Sequence, residues 1–472
     1  MAARLELHAD RLFPVSPTER GIARELYQSI RALPIVSPHG HTDPAWFALN
    51  QPFPDPANLL IVPDHYVLRM LYSQGIPLDD LGVARRDGGP SETDMRKVWR
   101  RFAAHYYLFA GTPSRMWLDW VFHDVFGLRD VLCAETADAY FDTIDTALRT
   151  DAFRPRALFD RFGIEVIATT EDPLDPLSHH AKLIADGWGK KVVTTFRPDN
   201  VLNPEVPEFA GNLDRLGVIT GCDTASYAGY LKALENRRAF FRAHGATASD
   251  HGHPTAATFD LSRREAEDLF MRVRDGGASN GDAELFRGHM LMEMARMSQE
   301  DGLVLQIHPG AFRSHNTPLW AAFGPDKGGD IPMPTDYVTA LRPLLNKYGN
   351  NPDFTIIVFT LDETSYAREL APLAGHYPAL KLGPAWWFHD SPEGMRRFRE
   401  QTTETAGFYN TVGFNDDTRA FLSIPARHDV ARRMDCGFLA QLVADHRIRL
   451  DEAHRIAEDL TYNLVRKAYR FT

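Results

Sequence analysis

Short apolar runs alternating with helical stretches constrain the fold of this chain more than any other feature. The runs fall at residues 33–36, 164–170, 192–196, 246–249, 303–307, 355–359, 380–382 and 411–414, and stretches such as 227–243 and 284–299 between them carry helical spacing. Strands separated by helices pair in parallel, because a parallel neighbour needs a crossover long enough to hold a helix. Eight such units predict an α/β fold, a (β/α)8 TIM-type barrel, although the same string is compatible with an open doubly wound sheet. More than a hundred residues separate the first run from the second. Segments 94–109 and 115–125 are rich in aromatic and charged residues at helical spacing, and 85–90 is a turn-forming break, so this stretch reads as a helical insertion after the first strand.

The expected organisation is a first helix and strand over 1–43, a mainly helical subdomain over 44–160, the rest of the barrel over 161–425 and C-terminal helices over 426–472. Ser16, Pro17 and Glu19 predict a capping box opening a helix that runs to about Ala32. Helices over 427–445 and 451–469, the second capped by Asp451, are expected to cover the barrel. The Gly-rich stretch 324–330 reads as a mobile loop.

Composition narrows the function. Of 472 residues, 44% are hydrophobic, and no apolar run approaches bilayer length, which predicts a soluble protein without a membrane partner. The first residues carry acid and no apolar signal core, and Cys133, Cys222 and Cys436 are isolated; both point to the cytoplasm. A net charge of −11 argues against nucleic acid, but not against a small anion held by a few arginines.

Barrel enzymes build their sites from the C-terminal ends of the strands. His39 and His41 follow the first run, and in an extended chain such side chains point the same way, so both imidazoles can reach one cation. After later runs stand Glu171 and Asp172, Arg197 and Asp199, Asp250 and His251, His308 with Arg313, Asp362, Trp386 and Trp387, and Asp417 with Arg419. Singly each has an ordinary reading: Asp172 before Pro173 as a turn residue, Asp250-His251 as a helix cap, the tryptophans as core. A metal shared by His39, His41 and Asp417 would join the first strand to the last, which are neighbours only if the sheet closes.

These residues lie in motifs that resemble one family. Pro34-Ile35-Val36-Ser37-Pro38-His39-Gly40-His41, Asp64-His65-Tyr66-Val67-Leu68-Arg69 and Thr169-Thr170-Glu171-Asp172-Pro173 with His179-His180 are similar to the uronate isomerases of the amidohydrolase superfamily. The resemblance continues through Phe196-Arg197-Pro198-Asp199, Phe286-Arg287-Gly288-His289-Met290 and Gln306-Ile307-His308-Pro309-Gly310-Ala311-Phe312-Arg313. It ends with Gly383-Pro384-Ala385-Trp386-Trp387-Phe388 and Asp417-Thr418-Arg419-Ala420-Phe421-Leu422-Ser423 with Arg427-His428. Two positions depart from the family pattern: Ser37 replaces an acidic residue and Thr418 a serine.

The resemblance implies aldose–ketose isomerisation of hexuronates, D-glucuronate to D-fructuronate and D-galacturonate to D-tagaturonate, by metal-assisted proton transfer through an enediol. It implies one divalent ion on His39, His41 and Asp417. Zinc suits those ligands, with manganese or cobalt as alternatives. His65 with Tyr66 is the expected proton shuttle, and Asp417 is also placed to handle the ring-opening proton. Arg197, Arg313 and Arg419 are candidates for the substrate carboxylate, Trp386 for an apolar face to the sugar, and His308 for substrate or metal. The implied protein is a homo-oligomer acting on a small hexuronate. The competing readings are a metal-dependent hydrolase of the same superfamily and a non-enzymatic binding barrel.

Overall fold

The structure is a computed structural model and describes residues 3–206 and 208–471. Strands β1 (Ile35–Ser37), β2 (Ile164–Glu171), β3 (Val192–Phe196), β4 (Ala248–His251) and β5 (Val304–Ile307) pair side by side in chain order, all parallel. Short antiparallel strands β6 (Ala311–Phe312) and β7 (Ile331–Pro332), which the sequence did not suggest, form a ribbon in the next connection. The parallel sheet then resumes with β8 (Ile356–Val358) and β9 (Leu380–Leu382). Asp250 and His251 belong to β4 and do not cap a helix.

The eighth run departs from expectation. Residues 411–414 join the sheet through one bridge, Leu382 to Thr411, supported by Leu382 N to Asn410 O at 2.9 Å and Val412 N to Leu382 O at 3.1 Å. A few residues further on, the His41 N–H donates to the Thr418 carbonyl at 3.0 Å, so the last segment meets the first and the sheet curls into a barrel. An open doubly wound sheet would leave those two edges apart.

Strand side chains are buried on both faces, as a parallel sheet covered by helices requires. Val36, Ala248, Val304, Ile357 and Val412 cluster with Val465 and Tyr469 from the C-terminal end of the chain. The Tyr469 hydroxyl bonds Gln306 at 3.0 Å, and Arg470 donates to the carbonyls of Gly302 at 2.6 Å and Asp353 at 2.7 Å, just before β5 and β8. The chain terminus therefore stops the N-terminal end of the barrel and leaves the other end free for a site.

Residues between β1 and β2 are helical, including Met95–Ala104, Pro113–Trp120 and Ala137–Leu148. Trp99, Phe102, Tyr106, Phe122 and Tyr140 interlock there at ring separations of 5.1 to 6.2 Å, largely edge to face or tilted, the geometry aromatic quadrupoles favour. Trp99 also donates to the Ala137 carbonyl at 2.9 Å.

Two predicted caps do not form. The first helix is Pro17–Ile30, and Ser16 makes no side-chain bond to it; Pro17, with its preset φ and no N–H to satisfy, opens the helix instead. The final helical stretch starts at Leu450, one residue earlier than predicted, which puts Asp451 inside the first turn beside Glu452, whose carboxylate accepts from the Arg449 N–H at 3.0 Å. That stretch is Leu450–Glu458 and Leu464–Tyr469 joined through a π-turn at Asp459–Asn463. Among the described residues, no helix is long and apolar enough to cross a membrane.

The helix Ile424–Ala444 packs along Pro17–Ile30 and anchors the entry to β1. Buried Arg432 donates to the carbonyls of Arg31 (2.9 Å), Leu33 (2.9 Å) and Pro34 (3.1 Å). Arg432→Met removes the donors and leaves three carbonyls unpaired, so the unfolding free energy falls by about 3 kcal/mol, as expected for bonds to a charged group. Urea unfolding checks this; a loss below about 1 kcal/mol would mean that the anchor is replaceable by packing.

Candidate active site

The C-terminal ends of the strands surround a cavity of about 510 Å³. His39, His41, His65, Tyr66, Arg197, His308, Arg313, Trp386, Asp417 and Arg419 all line it, drawn together from positions nearly 400 residues apart.

The histidines after β1 converge on the segment that closes the barrel. His41 Nε2 lies 3.1 Å from Asp417 Oδ1, and His39 Nε2 lies 3.7 Å from the same oxygen and 3.8 Å from Asp250 Oδ2. Gly40 allows the approach: a Cβ there would sit 3.3 Å from the Thr418 carbonyl. Asp417 adopts a φ of +36°, unusual for a residue with a side chain and a form of strain that concentrates at functional sites. A second group shares His39. His308 Nδ1 lies 2.5 Å from Asp250 Oδ1, and its ring stacks on His39 at 4.8 Å.

Electrostatics suit a cation. Burial lowers the His39 pKa to about 4, against the opposing pull of Asp250 and Asp417, so its imidazole is neutral at physiological pH and can ligate. Burial alone would raise Asp417, but His39 and His41 hold it far below the usual carboxylate range. Asp250 is likewise driven down against its burial by His308, Arg197 and His39. Both His39-His41-Asp417 and His39-Asp250-His308 place their potential ligand atoms within 4.8 Å of one another. The buried Nε2 of His308 has no hydrogen-bond partner among the described residues. Imidazole nitrogens and carboxylate oxygens in this arrangement fit a divalent metal.

His65 opens the helix His65–Tyr72, which Asp64 caps by accepting from the N–H of Tyr66 at 2.9 Å and of Val67 at 3.2 Å. An imidazole in water titrates near neutrality; the fold lowers that of His65 to about 3 through burial and the nearby Arg419 charge. Tyr66 stacks on it at 4.8 Å and donates to Asp390 at 3.0 and 3.1 Å. Asp390 in turn accepts from Arg427 at 2.9 Å, and that guanidinium lies 3.5 Å over the Trp117 ring.

Each candidate anion-binding arginine already faces a carboxylate. Arg197 has Nε on Asp199 at 2.9 Å and Nη1 3.1 Å from Asp250, both arms engaged. Arg313 reaches Asp330 at 3.1 Å and covers Trp387 at 4.9 Å. Arg419 pairs with Asp326 at 2.7 Å. Trp386 sits edge-on to His308 at 4.6 Å and forms wall.

Asp326 and Asp390 escaped sequence reasoning. Asp326 lies in the glycine-rich stretch read as mobile, yet here that stretch packs over the cavity. Gly328, at φ +81°, lies so close to His65 that a Cβ would be 2.9 Å from the His65 carbonyl and 2.6 Å from Arg69 Cβ. Nothing around Asp390 signalled its role, because its partners Tyr66 and Arg427 are distant in the chain. Asp250 stood at a strand end, where its signal was legible.

Comparison with known proteins adds the chemistry. The sequence pattern of the glucuronate isomerase family matches residues 17–469. A uronate isomerase of Rhizorhabdus wittichii is 66% identical over 469 residues, covering 99% of each chain. The crystal structure of glucuronate isomerase from Caulobacter crescentus superimposes with a TM-score of 0.97 at 60% identity, covering 99% of this chain and 97% of that one. The uronate isomerase structure from Thermotoga maritima gives 0.91 at 26% identity, over 98% of this chain and 99% of that one. Because the match takes in every strand and every residue around the cavity, the chain belongs to the uronate isomerase family and is a hexuronate isomerase.

Proposed function

We propose that the enzyme interconverts D-glucuronate with D-fructuronate and D-galacturonate with D-tagaturonate by moving a proton between C2 and C1 through an enediol. The supporting observation is that His65 and two partly exposed arginines share one cavity with the His39-His41-Asp417 cluster. His39, His41 and Asp417 would hold a single divalent ion, zinc by ligand preference, with manganese or cobalt able to take the same donors. When bound, such an ion supplies Lewis-acid polarisation of the substrate carbonyl.

The chain's own residues divide the remaining work. Arg419 and Arg313, each with donors beyond its one carboxylate contact, take the substrate carboxylate. Arg197 instead neutralises Asp250, since both its arms are occupied. His308, fixed through Nδ1 by Asp250, offers Nε2 to a substrate hydroxyl, and Trp386 provides an apolar face. Asp417, ionised at every ordinary pH, is positioned to accept the proton released on ring opening. Neutral His65 removes the C2 proton and returns it to C1, with its ring held by the stacked Tyr66.

In deuterium oxide, fructuronate formed from glucuronate therefore carries deuterium at C1, at least in part. His65→Asn slows exchange and turnover together, on the order of 10² to 10⁴ fold, while metal content is unchanged. No ketose from any uronate, or loss of metal in this variant, would contradict the assignment. The low pKa also predicts the pH profile. A base that stays neutral down to about pH 3 contributes no acid limb to kcat/KM between pH 5 and 7, so any limb there is the same in His65→Asn.

Arg419→Met lowers kcat/KM for glucuronate by tenfold or more, the value of roughly 1.5 to 3 kcal/mol for a charged hydrogen bond. Wild-type kinetics in both Arg419→Met and Arg313→Met would move the carboxylate elsewhere. Prolonged chelation abolishes turnover and one equivalent of zinc per chain restores it, whereas Asp417→Asn neither retains the ion nor recovers.

A further inference from the structure

A second cavity, about 870 Å³, opens beside the N-terminal ends of β1 and β2, at the other end of the barrel from the active site. Arg11, Arg24, Arg31, Arg161, Arg432 and Arg433 line it. Four carboxylates also line it, and all four are occupied. Asp10 holds Arg24 at 2.6 and 2.5 Å. Asp429 accepts from Arg11 at 2.5 Å, Arg433 at 2.9 Å and the Tyr27 hydroxyl. Glu25 faces His454 at 3.2 Å, and Asp124 faces His123 at 2.6 Å.

Three guanidinium groups are left over. Among the described residues, Arg31, Arg161 and Arg432 have no ion-pair partner. Arg161 donates to the carbonyls of Asp124 and Val125, both at 3.0 Å, and Arg31 only to Gln28 at 3.3 Å. Arg432 is 7% exposed, bonds only to carbonyls, and has a buried Nε with no partner at all. Arg432 holds its buried charge on carbonyl dipoles alone, which is unfavourable, and Arg31 and Arg161, both exposed, add two more unpaired positive charges to the same cavity. In a chain of net charge −11 this local excess is out of character. A guanidinium fork matches carboxylate and phosphoryl oxygens bidentately.

We propose that this cavity binds a compact organic polyanion, recognised through phosphoryl or paired carboxylate oxygens by Arg31 and Arg161 at its exposed edge over the buried charge of Arg432. The site is separate from the active site, and its ligand does not compete with a hexuronate.

The test is thermal unfolding of the zinc-loaded enzyme held at saturating glucuronate, titrated with inorganic phosphate or with succinate against sodium chloride at equal ionic strength. The expected result is a saturable rise in Tm for at least one anion. A rise with phosphate alone assigns the site to phosphate esters, and one with succinate alone to dicarboxylates. Replacement of both exposed arginines, Arg31→Gln with Arg161→Gln, weakens the titration midpoint at least tenfold with turnover unchanged. Arg31→Gln alone, which removes a single surface hydrogen bond, gives a smaller weakening and covers the case in which the double variant folds poorly. No saturable rise beyond chloride at saturating glucuronate, or a midpoint unchanged in both variants, would overturn the proposal.

Discussion

The hydrogen bond from the His41 N–H to the Thr418 carbonyl is where the rest of this molecule converges. It joins the end of the first strand to the segment after the eighth run, and that segment has little ladder of its own. Without the contact the sheet would have two edges, and His39 and His41 would sit at one edge with Asp417 at the other. With it, three ligand-type atoms fall within 4.8 Å. The local requirements are specific: Gly40 gives the backbone room, and Asp417 takes a left-handed φ that the packed surroundings must hold in place.

The same closure concentrates charge, and the structure answers with pairing. Asp250 lies fully buried between His308, His39 and Arg197, so it stays ionised in a place where an unpaired carboxylate would take up a proton. Such a frame orients ligands at the cost of desolvating charges, a common bargain at sites that must be rigid before substrate arrives. At the mouth the pairing is looser. Arg419 and Arg313 meet acids on the loop from Gly324 to Asp330, and under the proposed carboxylate role an anionic substrate would compete with Asp326 and Asp330 for them. Selectivity for a carboxylate would follow from that role, because a neutral sugar would leave those ion pairs undisturbed.

His65 shows how far tertiary surroundings can move a residue from its ordinary chemistry. In isolation an imidazole titrates near neutrality. Enclosed by Tyr66, Trp387 and the glycine-rich loop, with Arg419 nearby, it remains neutral over the whole working range. An imidazole of such low pKa is free to accept a proton but holds one only weakly.

The amino-acid sequence by itself determined the parallel α/β architecture, because alternating short apolar runs and helical spacings admit few other solutions. It also determined the chemical inventory at the strand ends, since His-x-His after a strand and lone acids or arginines after others are local patterns. Tertiary structure alone decided how the barrel closes. Residues 411–414 have the composition of a strand yet pair through one bridge, because the chain must turn there to deliver Asp417. It alone decided which carboxylate meets which arginine, as in Asp390 with Arg427 and Asp326 with Arg419, pairs 37 and 93 residues apart. It also turned a stretch that reads as a loose loop into a packed wall over His65. The physical reason is range: backbone propensity and side-chain periodicity act over a few residues, whereas burial, ion pairing and pKa depend on neighbours that only the completed fold assembles.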